Sequence, residues 1–375
     1  MIRIGVLAPL SPPGWVEAGR HLLAGLQLAR SNINRDGGIE GMLVELLVRD
    51  TAADPGRSAA AVDELAQLGA AAVTGGFHSV AASAAAARAE AIGLPYLCSS
   101  AVLDALTARP AAWVARLAPP QSKGWNLFAD FLVAAGHRRI GLAVQPSTYW
   151  AAGSRILSAR IARHGGKVSS VEFPARGTSA ALDRLAAARA TMILLLVGHP
   201  EPTATLARSL RNDPRFAGTS LGAPAGQPEF RDWERLLGSE GTAVPFLRYL
   251  PRTLAPAGSR VAAALRHCLG QSPAFVALEG YDSLLAVAAL LRERHRGGMA
   301  PAGPWSRVSV DGTRGRIQFS RAAGDHVWQW PDAPVQVADR DPSDSRRFRV
   351  LYVDAPDGAG HPGRRPVRCK LPPTG

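Results

Sequence analysis

The chain has 375 residues, of which 47% are hydrophobic, and it carries a formal net charge of +13; this size allows one to three domains with large aliphatic cores. It has no apolar run long enough to cross a bilayer, and its three scattered cysteines argue against a zinc site or a disulfide framework. The arginines are spread along helix-like segments, which favours a scattered basic surface over binding to nucleic acid or anionic lipid.

The first fifty residues predict a strand, a helix and a second strand. Residues 2–8 form an apolar run, an amphipathic stretch follows at 18–34, and a second apolar run covers 42–48. Gly37 and Gly38 lie between the helix and the second strand, where a chain that reverses needs positive φ. In such a βαβ unit a ligand is expected beside the loop that follows the first strand, here residues 11–15.

This alternation continues along the chain and predicts an α/β protein with parallel sheets covered by helices. Strand-like runs recur at 2–8, 43–49, 71–75, 94–98, 139–145, 168–173, 191–197 and 218–223. Ala/Leu/Arg-rich segments with helical spacing lie between them. A helical segment at 275–295 and a β-like piece at 306–320 follow, and a last strand-like run covers 327–337.

The order of these segments predicts two lobes, with the chain crossing between them three times. Lobe I takes residues 1–118 and 250–326, and lobe II takes residues 119–249 and 327–353. The predicted crossings, 116–122, 244–251 and 325–334, contain proline or are bracketed by it, which stiffens the path. Residues 354–375 mix charge, proline and glycine and are expected to form a flexible tail.

The strongest local signal for a site is the segment VTGGFHS at 73–79, which is followed by a helix. Two glycines allow a tight turn, and Ser79 is predicted at the helix N-cap. The free amides and the positive end of the helix dipole would then form a site for a carboxylate. The alternative is an ordinary serine cap, which stabilises a helix by about 1 kcal/mol.

Three segments carry a family resemblance: IGVLAPLS at 4–11, GLQLARSNINRDGGIEG at 25–41 and VELLVRDTAADP at 44–55. In them the chain resembles the type I periplasmic binding proteins, most closely the leucine/isoleucine/valine-binding receptors of ABC transporters. The resemblance covers roughly residues 2–340. It implies two doubly wound parallel-sheet lobes joined by a hinge of three crossovers.

The resemblance also implies candidate ligand-binding residues in the first lobe. Family members hold the ligand's α-carboxylate with a serine at the position of Ser79, and His78 stands beside it. The loop after residues 94–98 offers backbone amides at Ser100 and Ala101, while Val102 stands where a threonine is usual. A plain exit from strand to loop is the alternative for this segment.

In the second lobe, Tyr149 matches the family's cleft tyrosine. Trp15, in the first loop of the chain, and Trp150 are candidate walls of the same cleft, because large flat side chains bury much surface at modest entropic cost. The alternative for Trp150 is a residue at a helix start that packs on its own lobe.

Two positions depart from the family pattern. Ala225 stands where the family has a glutamate for the ligand's ammonium, and Gly198 replaces the expected pocket tyrosine. Glu229 is near in sequence but would have to reach back. Because a buried ammonium without a carboxylate costs several kcal/mol, a carboxylate, an amide or an aromatic acid fits better than an aliphatic α-amino acid.

No catalytic or cofactor motif is present, and a Ser79–His78 pair has no third orienting group, so no enzyme activity, cofactor or metal is expected. Asp282 matches a family position and is interpreted as structural. The predicted function is a periplasmic ABC-transporter receptor that closes two lobes around a small carboxylate, amide or amino-acid-like ligand. Its predicted partners are that ligand and the permease subunits, with no nucleic acid and with membrane contact only through the permease.

The alternative function is a cytosolic small-molecule sensor on the same fold, similar to amide-responsive amidase regulators. The chain shows no secretory signal at its start: either the signal was removed, or the start was assigned downstream of it, or the protein stays in the cytosol. Sugar-repressor-like DNA binding would need an N-terminal helix-turn-helix module, and the first strand already begins at residue 2.

Overall fold

The structure is a computed structural model that describes residues 1–107, 109–173, 178–297, 303–321 and 327–353; the predicted tail at 354–375 lies outside them. The α-helices are α1 (Val16–Arg35), α2 (Pro55–Gln67), α3 (Ser79–Ile92), α4 (Gln121–Ala134), α5 (Thr148–Arg163), α6 (Ser179–Ala187), α7 (Thr203–Asn212), α8 (Arg231–Leu237), α9 (Pro256–Leu269) and α10 (Phe275–Gly297). The strands are β1 (Ile2–Ala8), β2 (Val44–Asp50), β3 (Ala72–Gly75), β4 (Tyr96–Cys98), β5 (Val114–Arg116), β6 (Arg139–Val144), β7 (Lys167–Glu172), β8 (Met192–Leu196), β9 (Ser220–Gly222), β10 (Phe246–Arg248), β11 (Ser309–Asp311), β12 (Arg316–Gln318), β13 (Trp328–Gln329), β14 (Gln336–Asp341) and β15 (Asp344–Val353). No helix of the described residues is both long enough and apolar enough to span a membrane.

The chain folds into two compact units. Unit 1 comprises Met1–Lys123 and Tyr249–Pro334, and unit 2 comprises Gly124–Arg248 and the described residues from Val335 onward. The predicted boundaries at 118/119 and 249/250 lie close to these divisions. The predicted boundary at 326/327 lies farther away, because the strand-like run 327–337 is two strands: β13 belongs to unit 1 and β14 to unit 2. Pro331 and Pro334 separate them, since proline cannot donate to a ladder.

Unit 1 is built on a six-stranded sheet in the order β13-β5-β4-β3-β1-β2, in which every pairing is parallel. The side chains of β1 alternate between its two faces, as a strand requires. Ile4, Val6 and Ala8 pack with α1 and α10, whereas Leu7 packs with residues of α2 and α3. Helices therefore cover both faces of the sheet, which is the doubly wound arrangement expected from the sequence.

Two helices of unit 1 that are far apart in sequence pack backbone to backbone. A Cβ on Gly25 of α1 would lie 1.9 Å from the carbonyl oxygen of Ala277, and a Cβ on Gly280 of α10 would lie 2.2 Å from that of Leu22. No side chain fits at either distance, so glycine is required at both positions. Through this contact the late helix α10 completes the core around the first helix of the chain.

A buried ionic cluster fixes the turn between β11 and β12 to α10. Arg314 lies between Asp282 and Glu279, with N–O distances of 2.9 and 3.2 Å, and all three side chains are fully buried. The Asp282 carboxylate also accepts a hydrogen bond from the Thr313 amide at 2.6 Å. These contacts agree with the interpretation of Asp282 as a structural residue.

Unit 2 contains a parallel sheet in the order β7-β6-β8-β9 and an antiparallel sheet in the order β10-β14-β15. The central strand β8 is buried along its whole length, as its unbroken apolar sequence MILLL predicts. One core cluster joins β8 to residues of α6, α7 and α8.

Candidate functional site

The candidate site of unit 1 begins at the double glycine that ends β3. Gly75 and Gly76 have φ values of 110° and 91°, which confirms that this turn needs glycine. A Cβ on Gly75 would lie 2.2 Å from the Leu7 carbonyl oxygen, and one on Gly76 would lie 2.4 Å from the hydroxyl of Tyr96. The turn therefore packs tightly against the neighbouring strands β1 and β4, and α3 starts at a fixed place above the sheet.

Ser79 is the first residue of α3 rather than its N-cap, which corrects the sequence-based prediction. His78 occupies the cap position with extended backbone, and no side chain caps the helix there. The Ser79 hydroxyl oxygen instead accepts hydrogen bonds from the amides of Val102 and Leu103, both at 3.3 Å. Because the oxygen accepts both bonds, the hydroxyl hydrogen remains available to donate. The helix therefore starts one residue earlier than predicted, with His78 as the extended residue before it.

The predicted role of the loop after β4 also needs correction. The amides of Ser100 and Ala101 both donate to the Gly76 carbonyl oxygen, at 3.2 and 3.1 Å, so they are already paired in this conformation. The Ser100 hydroxyl donates to that of Ser99 at 3.3 Å. The Val102 side chain is buried. The loop after β4 therefore holds the start of α3 in place. It can do so because β4 ends next to the glycine turn that leads into α3.

Trp15, Phe77 and His78 form an aromatic cluster at the same end of the sheet. The Trp15 amide donates to Nε2 of His78 at 3.4 Å. The rings of Trp15 and Phe77 are 5.4 Å apart, and Phe77 meets His78 edge-on at 5.2 Å. Burial lowers the pKa of His78 to about 4, so the ring is neutral at pH 7. Sequence reasoning missed Phe77, although an aromatic residue directly after a double glycine was a usable signal.

Asp50, at the end of β2, fixes the loop that leads to Trp15. Its carboxylate accepts hydrogen bonds from the amides of Leu10 and Ala52, at 2.7 and 2.9 Å, and from the Ser11 hydroxyl. Partial burial raises the pKa of Asp50, but the Ser11 hydroxyl and these amides outweigh burial and lower the pKa overall. Asp50 is a positioning residue that the sequence analysis did not single out, although it directly follows an apolar strand.

In unit 2, Tyr149 and Trp150 lie in the first turn of α5, where the Ser147 side chain caps the helix by accepting a hydrogen bond from the Trp150 amide at 3.0 Å. Trp150 is only 7% exposed and packs on Trp125, with 6.3 Å between ring centroids. Trp150 therefore belongs to the core of unit 2. The alternative prediction, a residue at a helix start that packs on its own lobe, replaces its predicted role as a wall of the ligand cleft. Tyr149 is half-buried, contacts both tryptophans edge-on, and has a pKa raised by burial.

The remaining predicted positions of unit 2 lie in two loops. Gly198 follows β8, and its amide donates to the side-chain oxygen of Gln145 at 2.7 Å. Ala225 is partly exposed in the turn after β9. Glu229 is fully buried at its side chain and forms an ion pair with Arg248 at 2.8 Å. The carboxylate closest in sequence to Ala225 is therefore held by an arginine of its own unit.

The arrangement offers hydrogen-bond donors and aromatic surface rather than catalytic groups. His78 accepts a bond from Trp15 and Ser79 accepts bonds from the 102–103 loop, so the contacts of the two side chains do not form a nucleophile–base pair. Within the described ranges no group of three or more His, Cys, Asp or Glu side chains is placed to bind a metal ion.

Comparison with known proteins adds a family match and a set of similar structures. A family model described as "Periplasmic binding protein" matches residues 1–336. The search of curated protein sequences gave no match. The chain is similar to the leucine-binding protein LivK of Thermotoga maritima, with 19% identity, a TM-score of 0.80 and coverage of 95% of this chain and 99% of that one.

Two further structures have the same fold. The ABC-transporter solute-binding protein of R. palustris in complex with benzoate has 18% identity, a TM-score of 0.76 and 99% coverage of both chains. The branched-chain amino acid transporter substrate-binding protein LivJ of Streptococcus pneumoniae in complex with isoleucine has 19% identity, a TM-score of 0.76 and coverage of 94% of this chain and 99% of that one. These likenesses confirm the predicted fold class, mixed α/β with parallel sheets.

Proposed function

This chain belongs to the periplasmic binding protein family, and we propose from that premise that it is the solute-binding receptor of an ABC transporter. It would close its two lobes around one small ligand and present that closed form to the permease subunits. The proposed location is the periplasm. The family consists of substrate-binding proteins rather than enzymes, which supports a receptor without catalytic activity. The proposed ligand is a small carboxylate or amide that carries no ammonium group.

The start of α3 is the observation that carries this proposal. The first amides of a helix have no acceptor within the helix, and the helix dipole favours negative charge there. Ser79 adds a hydroxyl whose oxygen is fixed by two amides, so that its hydrogen can point to a ligand. Trp15 and Phe77, both partly exposed, supply flat apolar surface at the same end of the sheet. A carboxylate with an apolar body matches this combination.

The acidic groups of the candidate segments argue against an ammonium on the ligand. Glu229 is ion-paired with Arg248 inside unit 2, and Asp50 accepts hydrogen bonds from the 10–11 loop and Ala52. The Ala225 side chain carries no charge that could pair with an ammonium. Burial of an ammonium without a carboxylate costs several kcal/mol, so an aliphatic α-amino acid would bind weakly. The benzoate complex of the R. palustris protein provides a precedent for an aromatic carboxylate on this fold.

The test is isothermal titration calorimetry with benzoate, benzamide and leucine, supported by thermal unfolding. We expect benzoate or benzamide to bind and leucine not to bind; a ligand at about 100 times its Kd stabilises the protein by about 2.7 kcal/mol. Tight leucine binding would overturn the proposed ligand class. Absence of binding across a wide panel of carboxylates and amides would overturn the receptor itself.

A pair of serine variants tests the role of α3. Ser79→Ala removes the hydroxyl at the helix start, and it should weaken binding of the ligand found above at least tenfold. Ser83→Ala is the matched control, because Ser83 lies one turn later on the same helix and donates to the Ser79 carbonyl oxygen at 2.8 Å. Equal affinities of the two variants would show that Ser79 does not contact the ligand.

A further inference from the structure

One end of the parallel sheet of unit 2 carries a dense group of exposed cations, and we propose that this surface binds an anionic lipid headgroup layer. The basic face consists of Arg138, Arg139, Arg163, Lys167 and Arg189, all of them exposed. They come from three turns that each lead from a helix into a strand: α4 to β6, α5 to β7 and α6 to β8. The sequence separates these residues widely, and only the parallel sheet brings them together.

Backbone pairing fixes the members of the basic face as neighbours. Arg139 stands directly opposite Lys167 where β6 pairs with β7, and neighbouring strands are roughly 4.8 Å apart. The Arg139 side chain donates to the Arg189 carbonyl oxygen at 2.9 Å, and the Arg138 side chain donates to the carbonyl oxygen of His164. Like charges placed opposite each other on paired strands repel, so an anion bound at this surface would relieve the repulsion between Arg139 and Lys167.

No carboxylate of the described residues supplies that compensation. Within those ranges none of the five cations forms an ion pair, whereas nearby acids already have partners. Asp130 is bound by Arg160 at 2.6 Å and lies 3.8 Å from His164. Asp183 is bound by Arg215, also at 2.6 Å. The five positive charges of the basic face are therefore left to solvent or to a partner.

The surroundings of the basic face favour a lipid surface over other anionic partners. The exposed large apolar residues among the described ones include no aromatic side chain, and none belongs to these three turns. A single-stranded nucleic acid is usually held by aromatic stacking, and the core of a protein interface is apolar. A layer of anionic headgroups needs only clustered Lys and Arg side chains, each of which contributes roughly fivefold to membrane partition. This contact would be additional to the permease contact, and it departs from the sequence-based expectations of a scattered basic surface and of membrane contact only through the permease.

The test is sedimentation of the full chain with vesicles of phosphatidylglycerol and phosphatidylcholine, compared with vesicles of phosphatidylcholine alone. We expect binding to the anionic vesicles at about 50 mM salt and its loss at about 500 mM, because exposed charges are screened. The variant R163E/K167E/R189E changes three side chains for which the structure gives no hydrogen bond. It should lower the partition at least a hundredfold, since three cations contribute roughly that factor.

The matched control is R155E/R346E/R347E, which changes the net charge equally at exposed positions of unit 2 outside the basic face. It should keep the partition within about threefold of the parent chain. Equal loss in both triple variants would mean that net charge alone drives binding and would overturn the proposal. No binding to anionic vesicles, or stronger binding to a single-stranded oligonucleotide than to vesicles, would overturn it as well. Circular dichroism of each variant verifies that the fold is retained, and ligand titration is a separate readout of the receptor proposal.

Discussion

Arg248 donates two hydrogen bonds to the carboxylate of Glu229, at 2.8 and 3.2 Å, and the Glu229 side chain is fully buried. The guanidinium also lies 4.4 Å from the ring centroid of Phe348. The pair connects the segment after the 222–226 turn with β10. It therefore couples the geometry of that turn to the antiparallel sheet of unit 2.

Arg248→Met should lower the free energy of unfolding by about 3 kcal/mol, because removing a charged partner of a buried carboxylate is costly. Urea unfolding at pH 7 measures the change. Arg235→Met is the control: Arg235 is exposed and pairs with Asp232 one helical turn away, so its loss should cost under about 0.5 kcal/mol. Similar costs for the two variants would contradict the buried pair. The double variant Glu229→Gln/Arg248→Met should recover much of the loss.

Gly76→Ala should cost about 3 kcal/mol, since alanine would adopt a φ near 91° and its Cβ would meet the Tyr96 hydroxyl at 2.4 Å. Tyr96→Phe alone should cost about 1 kcal/mol, because it loses the hydrogen bond to the Gly75 carbonyl oxygen. The double variant should lose less than the sum, because removal of the hydroxyl relieves the clash. Gly69→Ala, with positive φ but nothing within 4 Å, separates the backbone cost from the clash. An additive double variant would argue against the contact.

The stability of the protein should fall as the pH is lowered from about 6.5 to about 4. Burial lowers the pKa of His21 to about 4, below the value near 6.5 expected in the unfolded chain. Across this window the unfolded state binds the proton and the folded state does not, so acidification favours unfolding, by about 3 kcal/mol for this histidine. His78 and His199, whose pKa values burial also lowers to about 4, act in the same direction.

Urea unfolding at several pH values measures this dependence. His21→Asn keeps an acceptor for the Ala274 amide, which donates to Nδ1 of His21 at 2.9 Å, and it should flatten the curve. His267→Asn, at an exposed position of α9, is the control variant. A slope that is identical in all three proteins would contradict the assignment to His21.

Arg314→Met should destabilise unit 1 by about 3–5 kcal/mol, because it removes the cation between two fully buried carboxylates. Arg316→Met is a close control, two residues away, whose partner Asp311 is exposed. It should change the free energy of unfolding by less than about 0.5 kcal/mol. Chemical denaturation followed by tryptophan fluorescence is suitable, since Arg314 lies 5.3 Å from the ring centroid of Trp330. Equal effects of the two substitutions would show that burial does not set the cost.

The alternation of strands and helices was predictable because it depends on local apolar periodicity. The same holds for the glycine turns: Gly37 and Gly38 have φ values of 94° and 81°, as the reversal after α1 requires. Short elements were harder to see. The two-residue strand β13 and the three-residue strands β5 and β10 carry too few residues for a periodic pattern, and only their neighbours in the sheets define them.

The site was less predictable because its contacts join residues distant in sequence. The bonds from Ser100 and Ala101 to the Gly76 carbonyl oxygen exist only once β3 and β4 lie side by side. The burial of Trp150 depends on Trp125 of α4, and Gly153 of α5 leaves room for the Trp125 indole ring. The sequence could identify Ser79 as a candidate site residue, but not the amides that donate hydrogen bonds to its side-chain oxygen.

The glycine contact between α1 and α10 also bears on how the protein is made. The part of α1 that packs on α10 has no cover until α10 leaves the ribosome, after all of residues 124–248 have been synthesised. Residues 124–248 can therefore fold while the apolar face of α1 is still exposed. Chaperones should therefore bind mainly the amino-terminal segment of the nascent chain. Translation pauses before α10 should lower the yield of folded protein more than pauses elsewhere.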